Sequence, residues 1–394
     1  MHHPSAAGSL MEPRTEVEAS RSRASLGRHV LNGLLLCTGD MEHLDKYMQG
    51  KLFVLQLSMW SLRGVSRVIL ANNPLSGFLI LTALFWASPW QVLLGTLGVL
   101  ASTLTAVIMG QDSTEVSGGL HGFNGMLVSL LMGVCSSAGD WYWWLLLPAL
   151  YGSAACVFLS SGLSSVLDHW DVPASVFPFN IIIILYLLCT GSDNPYFPHH
   201  PATPLWNMEP NDTQLIVVEQ VVRGIPLGVG QIFACEALGP SLLILGAVLL
   251  YSPLLAVHAL LGSAVGTLAG LSVAVRHDSL YSGLSGFNGA LACMAVGGIF
   301  FTFSWKTHLF SIVSAFFSAY ANIALSNLLG TVSIHTSSHV CMKLQQTVQI
   351  DIFPCTCNQT KNMHQLLNLK QHIQQNISSK SRTIMLFVSY LITF

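Results

Sequence analysis

Between Arg67 and Arg223 the chain carries no Lys and no Arg. Soluble domains draw roughly a quarter of their residues from the charged types, so so long a stretch without one basic side chain is not the outside of a soluble domain. It suits a chain that meets hydrocarbon, where a charge at mid-depth costs about 2.5–3.5 kcal/mol. Composition agrees: of 394 residues, 52% are hydrophobic and 9% charged. The formal net charge of −2 leaves neither a basic face for nucleic acid nor an acidic field for a cationic partner. Nine cysteines lie scattered without the paired spacing of a zinc site or a disulfide scaffold, and read as buried thiols.

Half of the 16 basic residues (Arg14, Arg21, Arg23, Arg28, Lys46, Lys51, Arg63 and Arg67) precede the gap. The first segment is polar and has no apolar core of a cleavable signal, so residues 1–45 read as a retained tail, cytoplasmic by the positive-inside bias. Apolar runs then follow one another, several shorter than the roughly 20 residues that cross a bilayer. Short, Gly- and Pro-interrupted runs point either to broken or re-entrant helices, which survive in a membrane only when packed in protein or lining a wet cavity, or to ordinary spans with blurred ends. The expected organisation is a first membrane unit over 46–190, an extracellular linker over 191–214, a second unit over 215–332, and a polar tail over 333–394. The linker region Thr190–Gln214 carries five prolines and no Lys or Arg. Within it Asn211-Asp212-Thr213 is a glycosylation sequon, usable only outside the cell.

The chain repeats itself at an offset of 164 residues. Gly119-Leu120-His121-Gly122-Phe123-Asn124-Gly125-Met126-Leu127 falls on Gly283-Leu284-Ser285-Gly286-Phe287-Asn288-Gly289-Ala290-Leu291, and Ser88-Pro89 falls on Ser252-Pro253. A period this long means duplicated halves rather than a solenoid. If each half crosses the bilayer an odd number of times, the second lies inverted and solute sites fall between the halves near the midplane. The glycines allow close backbone approach, and Phe123 and Phe287 beside them either line a narrow slot or simply fill a helix-packed core.

The order Arg63-Gly64-Val65-Ser66-Arg67, Asn73-Pro74-Leu75-Ser76-Gly77, Gly119 to Asn124, Pro178-Phe179-Asn180, Ile225-Pro226-Leu227-Gly228-Val229-Gly230-Gln231 and Gly283 to Asn288 resembles the vertebrate urea transporter family over about Leu52 to Val332. The resemblance implies an all-α integral membrane fold of two inverted repeats, each with about five transmembrane helices and one re-entrant helix. It also implies a homotrimer in the cell membrane and passive, channel-like passage of urea through a pore in each protomer, with no cofactor and no metal. Phe123, Leu127, Phe287 and Leu291 match the family's slot-lining positions, and Gln231 matches one of its two pore glutamines. Such a pathway makes physical sense: urea is planar, neutral and rich in N–H, so stripping its water costs several kcal/mol unless neutral oxygens replace what is lost.

Three departures qualify the match. Arg67 stands where the family has its other pore glutamine, 164 residues before Gln231, and is expected either to snorkel to the cytoplasmic surface or to pair with Glu236. Val176 stands where the family has a midplane threonine. Ser333–Lys380 is polar and too hydrophilic to span, which leaves the second repeat incomplete. Alternatives are therefore a pore for water or another small neutral solute, suggested by Asn73-Pro74-Leu75, and a non-conducting subunit. His121 is weighed as a pore-edge or a structural histidine, and His199-His200 as solvated loop. No nucleophile triad, nucleotide loop or metal motif supports an enzyme.

Overall fold

The structure, a computed structural model, describes residues 37–136, 140–167, 169, 174–190, 216–302 and 304–332. Asn211, most of the linker, the first 36 residues and the tail after Val332 lie outside the described residues. Every regular element among them is helical. In chain order these are α1 Glu42–Met48, α2 Phe53–Arg67, α3 Pro74–Ala87, α4 Pro89–Ile108, α5 Ser113–Ser117, α6 Gly122–Cys135, α7 Leu146–Leu167 and α8 Phe177–Thr190, then α9 Val218–Gly230, α10 Leu238–Tyr251, α11 Pro253–Ser272, α12 His277–Tyr281, α13 Phe287–Met294 and α14 Trp305–Val332.

The helix starts are written in local chemistry. Pro74, Pro89 and Pro253 occupy first turns, where a missing N–H costs nothing and the ring presets φ. Pro89 also bars its predecessor from the helical region, so Ser88 stays extended (φ −155°, ψ 113°) and its hydroxyl caps α4 by accepting from Gln91 N. Ser252 repeats this at α11 (φ −156°, ψ 120°), accepting from Leu255 N. Asn73 caps α3 with Oδ1 on the amides of Leu75 and Ser76.

The repeat read from sequence recurs in the backbone. The bounds of α3, α4 and α5 return 164 residues later as α10, α11 and α12. Three left-handed turns recur at the same offset: Leu70 (φ 62°) and Ala234 (φ 55°), Gly110 (φ 67°) and Ala274 (φ 50°), Gly119 (φ 75°) and Gly283 (φ 82°). Two of these pairs hold different side chains, so the turn outlives the residue. At Gly119 and Gly283 the reason for glycine is steric as well, because a Cβ would strike the backbone of Gly64 or Gly228.

Three helical stretches, Pro89–Ile108, Trp143–Leu167 and Pro253–Ser272, are long and apolar enough to cross a membrane. Val218–Phe233 and Leu238–Tyr251 together qualify as a fourth, bent by 74° at the break between them. The bend stands at Ala237-Leu238-Gly239-Pro240-Ser241, where the second half lacks the Asn-Pro of the first and still starts a helix at the equivalent residue. Four apolar helices, Pro74–Ala87, Gly122–Cys135, Phe177–Thr190 and Phe287–Ile299, are shorter. Fourteen residues, the length of α6, rise about 21 Å against a hydrocarbon core of about 30 Å. Polarity is inverted relative to a soluble protein: Ser102, Ser129, Ser153 and Ser263 are buried while Phe78, Phe85, Trp86, Tyr151 and Phe158 face outward. Such a surface is a lipid-facing one. The chain is an all-helical membrane protein.

One core runs through both halves, with Phe179, Met126 and Leu130 from the first and Phe233, Ile244 and Phe287 from the second. α3 packs on α10, and there the buried Ser76 hydroxyl donates to the Ala247 carbonyl at 2.8 Å. Residues 37–48 complete the join. Arg63, 2% exposed, pairs with Asp45 at 2.8 Å and donates to Asn72 Oδ1 and the Asp40 carbonyl. Tyr251, at the end of α10, donates its hydroxyl to Asp40. The segment that ends the cytoplasmic tail in the sequence reading is thus built into the fold, touching both halves.

Candidate functional site

α9 ends in a tight turn at Gln231–Phe233, after which Ala234 takes the left-handed conformation. That reversal holds the Gln231 side chain inside, 4% exposed, with Nε2 donating to the Ser282 carbonyl at 2.9 Å. Opposite it, Leu127 on α6 and Phe287 at the start of α13 are 3% and 2% exposed. The three side chains come from different elements and both halves, and meet around one cavity. Leu130, Leu131, Ile232, Phe233 and Ala234 complete its lining. Its volume of about 20 Å³ is room for roughly one water, so this is a constriction, walled by an aromatic ring and leucines with one carboxamide set among them.

Polar atoms gather near it without protein partners. Gln231 Oε1, Asn124 Oδ1, Asn180 Oδ1 and Asn288 Nδ2 are all buried and make no hydrogen bond. Asn124 and Asn288 follow Phe123 and Phe287 directly in the repeated motif. The Nδ2 of Asn124 donates to the Ser175 carbonyl at 2.9 Å and that of Asn180 to the Val176 carbonyl at 3.1 Å, which orients their oxygens. A buried amide oxygen left unpaired costs about 1–3 kcal/mol, and several in one region call for a role.

The remaining positions singled out in the sequence sit around this constriction. Phe123 and Leu291 are partly buried and pack against the shared core, outside the immediate lining. Val176 is buried in the same core at the lead into α8. Arg67 is half-buried, and its Nε donates to the Gly118 carbonyl at 2.8 Å. That bond is the repeat counterpart of Gln231 to Ser282, so the guanidinium inherits the backbone anchor of a glutamine. His121 is buried, its Nε2 lying 3.4 Å from Glu115 Oε2. Leu130 and Leu131, three and four residues beyond Leu127, carry a helical-face signal, whereas Ile232 to Ala234 reach the cavity only because the chain reverses there.

A family model described as urea transporter matches residues 58–340. The chain belongs to the urea transporter family. "Urea transporter 1" of Ovis aries is 41% identical over 308 residues, covering 78% of this chain and 80% of its own length. "Urea transporter 1" of Mus musculus is 42% identical over 299 residues, 75% and 77% of the respective chains. For this family member the matched region starts somewhat later than the Leu52 expected from sequence and runs past Val332 into the segment read as unrelated, to residue 340.

Proposed function

We propose that this chain carries urea passively across the cell membrane, through a channel-like pathway between two inverted repeats, each of about five spans and a re-entrant helix. The observation that carries the reading is the meeting of Leu127, Gln231 and Phe287, drawn from both halves, around one constriction. A flat, neutral solute passes between the ring of Phe287 and the leucines while its N–H groups are handed along amide oxygens. Gln231 Oε1, Asn124 Oδ1 and Asn180 Oδ1 stand ready as acceptors, and neutral acceptors hold no ion. Phe123 and Leu291 extend the slot, Val176 narrows it without offering a hydroxyl, and Arg67 puts a cation at one mouth. Since the cavity holds about one water, the side chains around Phe287 yield as urea passes.

In this reading the protein sits in the plasma membrane as a homotrimer with its N-terminus cytoplasmic, and Asn211 carries glycan on the outer face. The test is isotopic urea uptake into liposomes holding the purified chain. Saturable uptake blocked by urea analogues is the expected result. Water permeability alone, or no permeability to either, would replace the reading with a water pore or with a non-conducting subunit.

A further inference from the structure

The second half differs from the first at two positions that touch. His258 on α11 and His308 on α14 stand where the first half has Leu94 and Trp144. The His258 imidazole is 1% exposed, and its Nδ1 lies 2.8 Å from the Leu254 carbonyl. A carbonyl only accepts, so Nδ1 carries the proton and Nε2 presents a lone pair. That lone pair faces His308 Nδ1 at 3.3 Å, with the two rings near perpendicular at 81°. Gly297, in the π-helical turn after α13, closes over the His258 ring so tightly that a Cβ there would strike it. Helical irregularities of this kind cluster at functional sites. The ring is therefore fixed in tautomer and in place, while the half-buried His308 lies nearer the surface in the first turn of its helix.

We propose that His258 Nε2 and His308 Nδ1 form a two-histidine site for a borderline divalent cation such as Zn2+, which staples α11 to α14. Imidazole nitrogens bind zinc at about 2.0–2.1 Å, and two of them 3.3 Å apart subtend roughly 105–110° at the ion, close to tetrahedral. The Leu254 carbonyl supplies the outer hydrogen bond that zinc-binding histidines commonly keep. On binding, His308 turns, shifts its proton from Nδ1 to Nε2 and gives Nδ1 to the metal, so the neutral pair releases no proton. Among the described residues no set of three His, Cys, Asp or Glu is gathered anywhere, so water completes the coordination.

The test reads metal binding rather than urea flux, and so stands apart from the transport reading. The purified full chain in detergent is melted with ZnCl2 at about 100 μM and with chelator. Zinc is expected to raise the melting temperature by at least ~2 °C, and the rise is expected to vanish in His258→Leu and in His308→Trp, which install the first half's residues. Because a buried replacement can fail to fold, His308→Gln at the half-exposed position serves as the second variant and should lose the rise too. No rise in the parent chain, or a rise kept in any folded variant, would overturn the proposal.

Discussion

At the scale of the residue, Gln231 and Arg67 are the informative pair. They occupy equivalent positions and anchor to equivalent carbonyls, Ser282 and Gly118, yet one is neutral and the other charged. Gln231→Ala removes a buried acceptor worth about 1 kcal/mol, and urea flux through reconstituted protein is expected to fall roughly five- to tenfold. Arg67→Gln keeps a donor for the Gly118 carbonyl and removes a charge whose presence in hydrocarbon is costly. Flux should rise severalfold at unchanged thermal stability; a drop would mean that the guanidinium assists passage. Both positions were legible in the sequence because the repeat offset pairs them. The unpaired oxygens of Asn124 and Asn180 were not, since an asparagine in a motif looks the same whether its amide is satisfied or free.

At the scale of the element, the two halves show which local signals a helix start needs. α3 has Asn73 as its cap; α10 has Ala237 in the extended conformation with no capping side chain. Ala237 is exposed, so Ala237→Asn fits without a clash. Full caps are worth about 1 kcal/mol, but Pro240 has no N–H, leaving Gly239 as the one donor in reach. The expected gain is therefore about half that, read as a small rise in melting temperature for Ala237→Asn and none for Ala237→Val. The missing Asn-Pro in the second half suggested altered geometry at this junction. Instead the helix starts at the equivalent residue, because packing of α10 against α3 and α11 fixes its position where the cap does not.

At the scale of the whole molecule, inversion of the repeats is open to direct measurement. Thr114 and Asp278 are equivalent, exposed positions on the short helices α5 and α12. Cysteines placed there one at a time, in a background whose native thiols are replaced, should react with a membrane-impermeant thiol reagent from opposite sides of the bilayer. Labelling from one side would make the halves parallel and move the pathway elsewhere. The join between the halves has its own chemistry, in which Arg63 holds residues 37–48 against the membrane body. Asp45 is 41% exposed, so water screens its pair with Arg63 and the hydrogen bonds to Asn72 and Asp40 remain.

The sequence by itself determined the solvent, the duplication and the family. A missing run of charges dictates hydrocarbon surroundings, and a repeated motif at one offset dictates repeated backbone, both through local chemistry that needs no folded structure to be read. Only the tertiary structure decided which residues share a cavity and which buried amides lack partners. It also decided that two histidines fifty residues apart meet nitrogen to nitrogen. Those facts depend on how α6, α9, α11, α13 and α14 approach one another, and helix approach is set by the packing of many small side chains at once rather than by any stretch of chain.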